Sequence, residues 1–91
     1  MATPVIAVVE TAARALVDSP EAVQVSATAH RGTTVVELAV APSDIGKVIG
    51  RQGRTADALR VLVAATAHLH GEKATLEIRD PDGRPRRERL G

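Results

Sequence analysis

Phenylalanine, tyrosine and tryptophan are absent from this chain, and so is cysteine. Without aromatic rings, nucleobases cannot be stacked on the flat side chains that serve as the usual single-strand platform. The core has to be built from Val, Leu, Ile and Ala, which pack through shape alone. Without cysteine there are no disulfides, thiolate metal sites or cysteine nucleophiles, as fits a reducing compartment. No segment approaches the ~20 apolar residues of a membrane span. The N-terminal stretch MATPVIAVVETAARALV lacks the basic start of a signal peptide and is interrupted by Glu10 and Arg14. A soluble cytoplasmic protein with no membrane role is the expectation.

Net charge is also small, +1 over 91 residues, which suits one domain with one modest core. Its distribution says more. Residues 1–80 hold eight Lys/Arg against nine Asp/Glu, whereas residues 81–91 hold four Arg against Asp82 and Glu88. Between Lys47 and Arg60 stand four cations (Lys47, Arg51, Arg54, Arg60) and only Asp57. The chain is not globally basic, but its positive charge is local, and locality is what a phosphate contact needs.

What is present is organised by period. Thr3-Pro4 suits a helix start, and Ile6, Val9, Ala13, Leu16 and Val17 then share one helical face. Asp18-Ser19-Pro20 ends that helix. Val23, Val25, Ala27 and Ala29 alternate with polar residues, as in a half-buried strand. A turn at His30-Arg31-Gly32 leads to a second strand over 33–40, with Val36, Leu38 and Val40 on one face. The short connection makes the two strands an antiparallel hairpin.

Pro42 ends that strand, and Ser43 is placed to cap a short helix over 44–49. A long helix over 55–70 follows, with Ala56, Leu59, Leu62, Val63, Thr66 and Leu69 at helical spacing and Gly71 as its stop. A last strand over 73–79 alternates Ala74, Leu76 and Ile78 inward. The order helix, strand, strand, helix, helix, strand predicts an α+β domain over 1–80. Three strands form one sheet, and three helices cover one face. The polar PDGRPRRERLG beyond it reads as an Arg-rich flexible tail, 81–91, whose arginines could add salt-sensitive phosphate contacts.

The stretch DIGKVIGRQGRTADAL breaks helical sequence with Gly50-Arg51-Gln52-Gly53. Glycine accepts positive φ and carries no side chain to keep another backbone at a distance. A helix opening after Gly53 offers unpaired N–H groups and a positive dipole end, both suited to an anion. Lys47, Arg51 and Arg54 flank the break, and Gln52 adds an uncharged amide. A Gly-containing connector between two helices is the plainer alternative.

VIGRQG resembles the Ile-Gly-x-x-Gly signature of the KH domain, and the element order resembles its type II form. The wider APSDIGKVIGRQGRTADALRVLV looks like the small bacterial single-KH proteins of the KhpA family, over residues 1–80. The resemblance implies a GxxG loop that clamps a single-stranded RNA backbone of about four nucleotides. Gly50 and Gly53 then allow close approach, Arg51 and Gln52 face phosphates, and Lys47 and Arg54 support them. The family's bases lie in an aliphatic groove, for which Ile45 and either Val36 or Leu38 are candidates, and Ile49 of the signature counts among the expected RNA-binding residues. The same side chains could be plain core. The resemblance also implies an RNA chaperone or post-transcriptional regulator. It further implies self-association, and pairing with a larger Jag-type (KhpB) protein that has its own KH domain. A protein-interaction subunit with RNA binding secondary is the alternative reading.

Other chemistries find little support. The phosphate loop GxxxxGK[ST] and the dinucleotide fingerprint GxGxxG are both missing. His68 and His70, two apart on a helix, point to different sides and do not readily share a metal. No Ser or Thr has a recognisable base partner, so neither an enzyme nor a cofactor is expected. A DNA-reading helix would need polar side chains that Val61 to Ala67 hardly offers. Ala58, Val61, Ala65 and His68 form a second, mildly apolar stripe on the long helix. It reads equally well as bare surface or as an association face.

Overall fold

The computed structural model describes residues 3–79. The expected tail, 81–91, lies outside the described residues. The chain runs α1 (Thr3–Leu16), β1 (Gln24–His30), β2 (Thr33–Ala39), α2 (Ile45–Ile49), α3 (Arg54–Leu69) and β3 (Ala74–Ile78). Short 3-10 turns occupy Pro20–Ala22, Pro42–Asp44 and Arg51–Gly53. The sheet order is β1-β2-β3, with β1 antiparallel to β2 and β3 parallel to β2. Parallel neighbours need a crossover. Here α2, the glycine turn and α3 supply it, so the turn sits between two helices that return the chain to the sheet.

Register follows the alternating pattern. Val25 pairs with Leu38 and Ala27 with Val36, while Val36 pairs with Leu76 and Leu38 with Ile78. These rows face the helices, and their Val36, Leu38, Leu76 and Ile78 form the centre of the core with Val5, Val9, Ala13, Val48, Leu59 and Val63, while Val25 packs against its edge. The opposite face carries Ser26, Thr28, Glu37, Thr75 and Glu77, with Arg79 bonded to Glu37 across the β2–β3 pair.

Both long helices bury a face slightly rotated from the one hydrophobicity predicts. On α1, Val5, Val9 and Ala13 are buried, whereas Ile6 is half-buried and Leu16 is exposed. On α3 the buried residues are Ala56, Leu59, Val63 and Ala67, while Leu62 and Leu69 of the expected face point out. The physical reason is the distance between helices. α1 packs chiefly against α3, and small side chains at the seam let two helices come closer than leucines would. Ser43 does not cap α2 either. It lies inside the Pro42–Asp44 turn, and Asp44 stands at the helix start.

Candidate nucleic-acid interface

The break between α2 and α3 is a turn of unusual backbone. Gly50 has φ 77° and ψ 172°, Gln52 has φ 57° and ψ 25°, and Gly53 has φ 75° and ψ 12°. Gly50 closes α2 through its N–H to the Gly46 carbonyl at 2.9 Å, and Gly53 N–H returns to the Gly50 carbonyl at 3.1 Å. The two glycines serve different needs. A Cβ at Gly50 would lie 2.2 Å from Thr55 Oγ1 and 2.9 Å from the Thr55 backbone nitrogen, so the start of α3 rests directly on Gly50. A Cβ at Gly53 would meet nothing within 4 Å. Gly50 is thus a packing requirement, and Gly53 borders open space.

The chain turns so sharply here that Arg51, Gln52 and Arg54 are all exposed. Gln52 is not a glycine yet adopts left-handed backbone, which glycine and, among other residues, chiefly Asn and Asp tolerate well. Its Oε1 accepts a hydrogen bond from Arg54 Nη2 at 3.4 Å. Among the described residues, neither Arg51 nor Arg54 forms an ion pair with a carboxylate. Asp57, the acidic residue of the first turn of α3, pairs with Arg60 at 3.4 Å. α3 also begins without a side-chain cap, and the first N–H groups of a helix carry its positive dipole end. The turn therefore presents two uncompensated guanidinium groups and an amide beside a helix start.

The other expected site residues separate. Ile45 and Ile49, on α2, are half-buried against the core and keep some surface next to the turn. Val36 and Leu38 do not. Both are 0% exposed, because the strand face they share is the one the helices cover. As the chain stands they are core and offer a base no surface, which corrects their place as groove candidates. Lys47 is exposed, but its Nζ lies 3.3 Å from Asp18 Oδ2 and 3.7 Å from Asp44 Oδ1. Its charge is already answered.

Three residues at the site escape a sequence reading. Thr55 looks like an ordinary helix residue until Gly50 is seen beneath it. Asp18 and Ser19 look like a helix stop, yet they reach Lys47 and Asp44. Asp44 followed by Lys47 is an i, i+3 pair that spacing could suggest. Its link to Ser19 is tertiary and has no local signal. Elsewhere, among the described residues, no three His, Cys, Asp or Glu side chains gather as a metal site would require. Nor is any described helix long and apolar enough to cross a membrane.

Comparison with known proteins agrees with this architecture. A family model described as KhpA/KhpB, KH domain, matches residues 7–78. The chain is 49% identical over 70 residues to the RNA-binding protein KhpA of Caldanaerobacter subterraneus subsp. tengcongensis, a match covering 77% of this chain and 93% of that protein. It is 44% identical over 82 residues to the protein of the same name from Mycobacterium leprae, covering 90% and 99% respectively. A third such protein, from Halalkalibacterium halodurans, is 49% identical over 72 residues, covering 79% and 95%.

Proposed function

The chain belongs to the KhpA/KhpB KH-domain family, and from that premise we propose that it is a non-enzymatic, cytoplasmic, single-stranded RNA-binding protein acting as an RNA chaperone or post-transcriptional regulator. The observation that carries this reading is the turn at 50–53, with two arginines free of carboxylate partners at an uncapped helix start. A nucleic-acid backbone approaches Gly53, where open space admits it. Arg51, Arg54 and the positive dipole end of α3 attract its phosphates, and Gln52 hydrogen-bonds without adding charge. Bases meet the aliphatic surface of Ile45 and Ile49, which needs no aromatic ring. A single site of this kind contacts about four nucleotides. Such a site is weak alone, so a second copy or a partner raises avidity.

The test is a titration of labelled single-stranded RNA against wild type and Gly53→Asp, with folding checked by circular dichroism. The new side chain starts in open space, since a Cβ at Gly53 meets nothing within 4 Å, and it adds a negative charge one residue from Arg54 and two from Arg51. Binding weaker by tenfold or more supports the clamp. Equal affinity from the folded variant refutes it.

A second reading, assembly, is favoured by one feature of α3. Val61, Leu62 and Leu69 are 67%, 46% and 82% exposed. With Ala58 and Ala65, also exposed, they make an apolar stripe turned away from the core. Contiguous apolar surface of this kind commonly marks an interface. A second copy of the chain, or a larger KhpB-type protein with its own KH domain, is the partner this reading implies. Partner capture that persists in a protein unable to bind RNA would favour assembly as the main role.

A further inference from the structure

Asp44 is the only charged side chain in the buried core of the described residues, with 1% of its surface exposed. It stands where the Pro42–Asp44 turn passes into α2. Its Oδ2 accepts the Ser19 N–H at 3.0 Å, across 25 positions of sequence, and so ties the α1–β1 connector to the start of α2. Its Oδ1 is buried without a hydrogen bond. The nearest positive charge is Lys47 Nζ, 3.7 Å away and one turn along the helix. A buried carboxylate is costly unless a counter-charge is near. Lys47 also meets Asp18, but that carboxylate is 79% exposed and its attraction is screened by water and salt. The buried partner makes the stronger claim on the ammonium.

Two consequences follow for the turn that α2 leads into. α2 has five residues, far too few to hold itself as a helix, so its direction depends on tertiary ties. Besides buried Val48, the Asp44–Ser19 bond is such a tie. Secondly, one ammonium between two carboxylates sums to a charge of −1, which does not draw a phosphate. The geometry points to Asp44 as the positioning residue for the glycine turn, and to Lys47 as its counter-ion rather than a phosphate ligand. This assignment rests on the RNA reading of the turn, and the experiment keeps the two apart.

Wild type, Lys47→Gln and the double variant Asp44→Asn/Lys47→Gln are titrated with a labelled single-stranded RNA over a range of salt concentrations. Amide hydrogen exchange at 50–54 is followed in the same proteins. Lys47→Gln leaves a buried carboxylate without its counter-ion. It is expected to bind RNA roughly two- to thirty-fold more weakly, the range for residues acting through a neighbour, with the salt slope of wild type. The double variant keeps an acceptor for Ser19 and buries no charge, so affinity returns towards wild type with the slope again unchanged. A lost phosphate contact instead lowers the slope by about 0.7 for a single strand. That drop in either variant, with no recovery in the double, overturns the assignment. So does Lys47→Gln that matches wild type in affinity and in exchange. If Lys47→Gln does not fold, the double variant decides by its slope alone. If wild type binds no RNA, the RNA reading fails and exchange decides. Faster exchange at 50–54 in Lys47→Gln, restored in the double, upholds the positioning role, and unchanged exchange refutes it.

Discussion

Gly50→Ala and Gly53→Ala are the same chemical change three residues apart, yet the structure expects them to differ several-fold in cost. At Gly50 the backbone, φ 77° and ψ 172°, lies in a region that is essentially glycine's alone, and occupying it costs a larger residue about 1–3 kcal/mol. The added methyl also lies 2.7 Å from Thr55 Cβ and 2.9 Å from Thr55 N. The Thr55 hydroxyl can rotate away, but those two atoms move only if α3 moves. Overpacking of this kind adds about 1–3 kcal/mol, giving ~2–6 kcal/mol in all. At Gly53, φ 75° and ψ 12° are left-handed helical and the space is open. There the strain is about 1–2 kcal/mol, and the ~0.4–1 kcal/mol gained from a less flexible unfolded chain offsets both substitutions alike.

Urea unfolding of the three proteins reads the difference directly, provided the m-values agree. A domain of about eighty residues has only ~4–12 kcal/mol to lose, so Gly50→Ala should cost a large part of the stability. In thermal melts each kcal/mol lowers Tm by roughly 4–8 °C. Thr55→Gly removes the hydroxyl and Cβ that the new methyl strikes. The Gly50→Ala/Thr55→Gly cycle should therefore show a favourable coupling of about 1 kcal/mol or more. Gly50→Ala no worse than Gly53→Ala, or a cycle without coupling, would refute the close approach of Thr55 to Gly50.

Three further outcomes follow from the same structure. Leu38→Ala should lose about 2–5 kcal/mol of stability, as fully buried leucines do, and the folded protein should keep wild-type RNA affinity; weakened binding by a well-folded variant would return Leu38 to the groove. Arg51→Gln and Arg54→Gln should each lower the magnitude of the salt slope of RNA binding by about 0.7, measured by fluorescence anisotropy, and an unchanged slope would remove that arginine from the phosphate contacts. Leu62→Asp should convert an associated protein to monomer in light scattering, at a stability cost below roughly 1 kcal/mol because the site is half open to water; wild type that is already monomeric at micromolar concentration would count against the stripe as a self-association face.

The order of elements is legible in the sequence because each announces itself locally. Two alternating runs around Arg31-Gly32 leave little but a hairpin, and the glycine pair at 50–53 marks a break that helical residues flank on both sides. Which apolar residues go inside is much less legible. A period of 3.6 residues lets adjacent faces of α3 compete, and hydrophobicity alone selects Leu62 and Leu69 over Ala67. The fold makes the opposite choice, because α1 lies against α3 and the seam has room for alanine. Lys47 is a similar case. Beside Arg51 and Arg54 it reads as a third phosphate cation, until the α1–β1 connector brings Asp18 within 3.3 Å of its ammonium.

By itself the sequence determined the α+β order, the hairpin, the site of the turn and the aliphatic character of the core. These depend on residue type and short-range spacing, which a chain carries wherever it goes. Only the tertiary structure decided that Val36 and Leu38 are sealed, that Gly50 supports Thr55, and that Asp44 holds the α1–β1 connector while Lys47 answers its charge. Each of these joins segments distant in sequence or fixes a helix's rotation about its axis, and packing sets both by the volumes that must fit together. The positive charge at the turn is therefore narrower than composition suggests: Arg51 and Arg54 have no carboxylate partner among the described residues, and the neighbouring lysine is committed to the protein itself.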